Sequence, residues 1–217
     1  MRNLYLQLII AFALLTAIAC KKPVTPAKDM RQRFVIHTNM GDITGLLYDE
    51  TPKHRDNFIK LIKTGYLNGS PFHRVIKSFV AQGGGNANGE EDPGYTIPAE
   101  FNRNCYHKRG AIGAARESDD INPTKASSGS QFYIVVGRKI LPEDVAWHEH
   151  RQKIMYPEYQ RNSYILHNGL PHLDGNYTIF GEIIEGMDVV DAISRMETDR
   201  ADKPLKEIKM TVELINN

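Results

Sequence analysis

Two segments carry the residues best equipped for chemistry. Phe72-His73-Arg74-Val75-Ile76-Lys77-Ser78-Phe79-Val80-Ala81-Gln82-Gly83-Gly84-Gly85 sets one arginine and one glutamine among apolar and aromatic side chains, and Ser128-Gly129-Ser130-Gln131-Phe132-Tyr133 adds a second glutamine. Their alternation reads as β-strand, and the glycines end the first strand sharply. A guanidinium stays charged and offers several donors in a rigid fork. Set against apolar walls, it describes an equipped pocket and not a bare core. The three glycines do not make a phosphate loop, because no Gly-Lys-Ser/Thr follows and they end a strand without opening a helix.

The pieces Phe-His-Arg-Val-Ile, Phe-Val-Ala-Gln-Gly-Gly and Gly-Ser-Gln-Phe are followed by His172-Leu173-Asp174-Gly175 and then Phe180-Gly181. In this order they resemble the cyclophilin family of peptidyl-prolyl cis-trans isomerases, over residues 33 to 215. The resemblance implies catalysed rotation about X-Pro amides. That rotation is slow because the nitrogen lone pair is conjugated with the carbonyl, giving a barrier of about 18–20 kcal/mol. No bond breaks. A catalyst has only to hold the proline, let the preceding carbonyl swing and favour the twisted state, so no nucleophile, metal or cofactor is expected.

On this resemblance Arg74 and Gln82 are the catalytic pair. Arg74 matches the arginine that donates to the substrate carbonyl and towards the proline nitrogen as conjugation is lost, a contact that strengthens in the transition state. Gln82 matches the glutamine that hydrogen-bonds the substrate backbone, and Gln131 a second pocket glutamine. Phe79, Val80, Tyr133 and Leu173 match the apolar proline pocket; Ala115 and Arg116 match the edge that holds the peptide through its backbone. Three positions depart from the best-known pattern. Tyr133 replaces a phenylalanine and brings a hydroxyl that needs a partner, while His172 and Tyr177 stand where many members have tryptophan and histidine. An alternative of another class therefore stays open: a proline-segment binding module or holdase with weak or no catalysis.

The elements that must position these residues are mainly β. Phe34–Thr38 and Ile43–Tyr48 flank the turn Asn39-Met40-Gly41-Asp42. Thr51 is a candidate N-cap with Pro52 in the first turn of a helix whose Phe58, Leu61 and Ile62 share a face and which Gly65 ends. Short strands follow at 72–75, 79–82, 112–115, 132–136 and 178–185, then a helix over 187–195 and a closing strand alternating through Ile208, Met210, Val212 and Leu214. The family resemblance makes this a closed eight-stranded antiparallel barrel capped by two helices. An insertion, residues 138–170, interrupts it. Pro142-Glu143-Asp144 starts a helix there, expected to stop near Pro157, and the segment either shapes the substrate site or decorates the surface. Its His148-Glu149-His150 is a poor chelate on a helix and reads as a solvated run.

The chain has 217 residues, 41% of them hydrophobic, with 27 basic and 26 acidic side chains. That suffices for one well-buried domain and shows no basic patch for nucleic acid. Residues 1–19 read as an export signal: Arg2, an apolar run from Leu4 to Leu15, and Ala17-Ile18-Ala19 before Cys20. Two routes fit. Ordinary secretion would cleave after Ala19 and leave a soluble periplasmic protein; the cysteine that follows instead resembles a bacterial lipobox and favours a lipid anchor on Cys20, with residues 20–32 as tether and 33–217 as the domain. The expected protein is a monomer bound to a bacterial envelope membrane, facing the periplasm and acting on proline-containing polypeptides. Acylation of Cys20 would leave Cys105 without a disulfide partner.

Overall fold

A computed structural model describes residues 30–89 and 93–215. The expected signal sequence, Cys20 and the tether up to residue 29 lie outside the described residues. Ten strands run β1 (Arg33–Thr38), β2 (Gly41–Leu47), β3 (Phe72–Val75), β4 (Val80–Gly84), β5 (Thr96–Ile97), β6 (Ala111–Ala114), β7 (Ser127–Ser128), β8 (Gln131–Val135), β9 (Ile179–Glu185) and β10 (Met210–Ile215). Eight form one antiparallel sheet in the order β10-β1-β2-β9-β6-β8-β4-β3, and β5 pairs with β7 alone.

The sheet curls into a half-barrel. Its edge strands β3 and β10 do not pair as a ladder, so the closed barrel expected from the sequence is not what the strand pairing gives. The segments beside those edges do meet. Gly69 N–H donates to the Met210 carbonyl at 2.8 Å, Met210 N–H to that of Ser70 at 2.9 Å and Phe72 N–H to that of Ile208 at 2.9 Å.

Alternation along each strand divides the sheet into two faces. Phe34, Ile36, Ile43, Phe72, Ala81, Ile112, Phe132, Ile134 and Met210 fill the interior. Val80, Ala111, Tyr133 and Val135 belong to a second cluster on the outer face. The interior is organised by Phe58 of helix α1 (Pro52–Lys63), whose ring lies 5.2 Å from that of Phe34 and 5.4 Å from those of Phe132 and Phe180. Thr51 stands at the N-cap of α1, but its hydroxyl makes no cap bond. The Glu100 carboxylate does this work from outside, accepting from the Lys53 and His54 amides at 3.1 and 3.0 Å, where the helix dipole also favours an anion.

The insertion holds two helices, not one: α2 (Pro142–Gln152) and α3 (Glu158–His167). The first ends at Lys153, in the left-handed region at φ 53°, before Pro157 is reached, and Pro157 then opens the second. Helix α4 (Met187–Ser194) buries Val190 and Ile193 against the interior. Phe58→Ala should cost about 3–5 kcal/mol, because three aromatic rings lose their common neighbour; urea unfolding measures it.

Candidate active site

The register of four strands puts the candidate residues in one row. Arg74 lies opposite Gln82, Gln82 opposite Tyr133, and Tyr133 opposite Gly113. Directly opposed residues share a face, here the outer one. Arg74 Nη1 donates to Gln82 Oε1 at 3.4 Å, and Gln82 Nε2 donates to Gln131 Oε1 at 3.3 Å. Arg74 Nε faces Asp202 Oδ2 at 3.6 Å, and the Asp202 carbonyl accepts from the Val75 amide at 2.9 Å, which ties this loop to β3. The Arg74 side chain keeps 39% of its surface open to solvent.

Beside this polar row, Phe79, Val80, Ala115, Tyr133, Leu173 and Tyr177 pack in one apolar cluster. His172 and Leu173 come from a 3-10 turn, Pro171–Leu173, and the His172 ring stacks on Phe79 at 6.0 Å. Arg116 points away from any ligand role for its side chain. Its Nε donates to the Asn176 carbonyl at 2.7 Å, its Nη1 meets Asp119 at 2.7 Å, and its guanidinium lies 4.6 Å from the centre of the Tyr177 ring. It fastens the segment that carries Tyr177. The apolar cluster, the His172 ring stacked on it and the polar row that shares β4 and β8 with it thus form one patch. A cavity of about 410 Å³ adjoins it, lined in part by Gln82, Ala115, Arg116 and Gln131.

The glycines of the first motif serve the backbone. Gly84 has φ +88°, and a Cβ there would lie 2.3 Å from the Ser130 carbonyl oxygen, so β4 turns sharply where it meets the start of β8. Gly113 serves the pocket, since a Cβ would fall 2.2 Å from Cζ of Tyr133.

The extra hydroxyl of Tyr133 is 2.8 Å from His107 Nε2. His107 Nδ1 lies 2.7 Å from Asp174 Oδ1, and a carboxylate can only accept, so the neutral imidazole carries its proton on Nδ1 and Nε2 accepts from Tyr133. Asp174 also accepts from the His107 amide at 2.9 Å, from the Tyr156 hydroxyl at 3.0 Å and from the Tyr164 hydroxyl. Burial, reinforced by the Asp174 charge, pushes the Tyr156 and Tyr164 hydroxyls far above their ordinary range; burial does the same to Tyr133, followed by Tyr177 and Asp174. All three remain donors through the neutral range. Tyr156 and Tyr164 belong to the insertion, which therefore has a small core of its own with Ile140 and Val145 and is also bonded to the site.

Sequence reasoning missed His107, Asp174 as an acceptor, Asp202 and Gly113. A usable signal for one was the tyrosine itself, whose buried hydroxyl requires a partner. His148 is a correction of another kind: of the supposed solvated run, His150 is exposed but His148 is buried, stacked on His172 at 6.0 Å.

The family model "Cyclophilin type peptidyl-prolyl cis-trans isomerase/CLD" matches residues 33–213. A Staphylococcus saprophyticus protein, provisionally named a peptidyl-prolyl cis-trans isomerase, is 34% identical over 189 residues, covering 84% of this chain and 91% of its own length. A crystal structure of a Cryptosporidium parvum cyclophilin type peptidyl-prolyl cis-trans isomerase superposes with a TM-score of 0.65 at 26% identity, over 86% of this chain and 99% of that one. A second structure from that organism, in the presence of the dipeptide Ala-Pro, gives the same score and identity over 86% of this chain and 100% of that one. The chain belongs to the cyclophilin family and is a peptidyl-prolyl cis-trans isomerase of that type.

Tyr133→Phe strands the buried Nε2 of His107. It should cost about 1–3 kcal/mol of stability, read from the urea midpoint, while leaving the apolar pocket wall in place.

Proposed function

We propose that Arg74 is the transition-state donor, that Gln82 and Gln131 hold the substrate backbone, and that Phe79, Val80, Tyr133 and Leu173 form the seat of the proline ring, with Ala115, His172 and Tyr177 at its margins. The observation that supports this reading is the hydrogen-bonded row Arg74–Gln82–Gln131 along the edge of an apolar cluster. The Ala-Pro dipeptide present with the Cryptosporidium relative is in keeping with such a seat. With the proline lodged on the apolar wall, the preceding carbonyl is the part left to rotate. As the amide twists, its nitrogen becomes pyramidal and regains a lone pair, which a guanidinium donor stabilises more than the planar ground state. Gln82 accepts from Arg74 and so aims the fork before substrate arrives. The backbone bonds between residues 69–72 and 208–210 support a barrel closed at that seam, which would hold β3 and its arginine rigidly.

We also propose that the enzyme works on exported proteins, from a lipid anchor on Cys20 at a bacterial envelope membrane and on its periplasmic side. The supports are the apolar run after Arg2 and the cysteine after Ala17-Ile18-Ala19. Mass spectrometry of the mature N-terminus should find a diacylglycerol-modified Cys20; an unmodified N-terminus would place the protein in the soluble periplasm instead.

The catalytic reading is tested by exchange spectroscopy on an X-Pro peptide. Wild type should accelerate cis-trans exchange, and Arg74→Ala should lower kcat/KM by about 10²–10³, the loss expected for one transition-state donor. An Arg74→Ala enzyme as active as wild type would remove Arg74 from the mechanism.

A further inference from the structure

The apolar wall of the prolyl site does not end at His172. Phe79 stacks on His172 at 6.0 Å with 15° between the ring planes, and His172 stacks on His148 at 6.0 Å with 27°. His148 then meets Trp147 edge-on at 4.9 Å. Four rings thus run in file from the prolyl pocket onto helix α2 of the insertion. His148 is buried, with 5% of its surface exposed, whereas Trp147 leaves 54% of its surface open. An isolated exposed aromatic means little. This one, with His148, His172, Arg138, Glu143 and Asp144, lines an open cavity of about 740 Å³ that meets the pocket wall at His172, the ring stacked on Phe79.

The remaining contacts hold the indole in place from behind. The Arg151 guanidinium lies 5.1 Å from the centre of the Trp147 ring, and Asp144 anchors the start of α2 by accepting from the Leu141 amide at 2.9 Å. Arg138 and Asp144 face each other at 3.4 Å, so the charges bordering the cavity are partly matched, leaving the aromatic surface as its main offer. A half-open indole carried on a helix, with His148 at its edge, suits a large apolar or aromatic side chain, which stacks on it with little loss of conformational freedom.

We infer that α2 adds a specificity subsite to the isomerase, in which Trp147 receives an aromatic or large aliphatic side chain of the substrate polypeptide flanking the proline on the His172 side. His148 is a positioning residue in this arrangement, transmitting the packing of His172 to Trp147. The inference rests on the isomerase site described above and names the substrate class it prefers: prolines with a bulky apolar neighbour. The occupant is the polypeptide substrate of the isomerase site, because His172 borders both that site's apolar cluster and this cavity.

Trp147 is the chain's one tryptophan, so its fluorescence reports on the subsite directly. The full chain is titrated with proline peptides in which one position flanking the proline carries Phe or Gly and the other Ala, following indole emission and, in parallel, cis-trans exchange. On one side of the proline, Phe should shift the emission and raise kcat/KM over the Gly peptide; Trp147→Ala should reduce that ratio by roughly 2- to 10-fold, mainly through KM, and Trp147→Phe should restore part of it. Emission indifferent to the peptide, a preference that survives Trp147→Ala, or an equal loss for both peptides would overturn the subsite. Because the emission reads binding even without turnover, failure of the subsite and failure of the isomerase reading remain distinguishable.

Discussion

The site depends on one constraint, the register of the β3-β4-β8-β6 ladder. Arg74, Gln82, Tyr133 and Gly113 fall opposite one another on successive strands, so one charged fork, one amide, one aromatic ring and one vacancy for that ring lie in a single row. A one-residue slip would turn each of them to the interior face of the sheet. The interior itself secures the register, since Ala81, Phe132, Ile134 and Ile112 on the alternate positions are buried among the phenylalanines packed on Phe58. The packed core and the proposed catalytic residues thus occupy opposite faces of the same strands.

The second organising feature is the Asp174 carboxylate. It gathers donors from the His107 main chain and imidazole and from two tyrosines of the insertion, while His107 passes the link on to Tyr133. A buried carboxylate is costly unless its oxygens are satisfied, and here each is. The same residue sits immediately after His172 and Leu173, so the network that anchors the insertion also holds the turn bearing part of the pocket wall. The insertion is consequently neither detached decoration nor a part of the row itself; it is bolted to the site from behind.

Much of this was legible in the sequence. Period-two alternation marked the strands of the large sheet, and Pro52 and Gly65 bracketed the first helix, because those signals are local. The motif residues Arg74, Gln82 and Gln131 could be picked out because a cation and two amides among hydrophobes need a reason. What escaped was non-local. Glu100 caps a helix that begins with Pro52, far from it along the chain, and the partner of the Tyr133 hydroxyl comes from a loop ahead of β6. The two-residue strands β5 and β7 are too short to show a period. Pro157 reads as a stop from sequence although a proline suits a helix start equally well, and His148 reads as solvated because nothing along the chain announces that His172 lies against it.

In the mechanism proposed above, Arg74 acts on the twisted amide more than on the bound peptide. Peptide affinity and the exchange rate at saturation, measured side by side by NMR for wild type and Arg74→Ala, test it most directly. The account predicts a saturated rate about a hundredfold lower or more, with affinity changed far less. A saturated rate that is preserved, with peptide affinity weakened about a hundredfold instead, would make Arg74 a binding residue only and overturn this role.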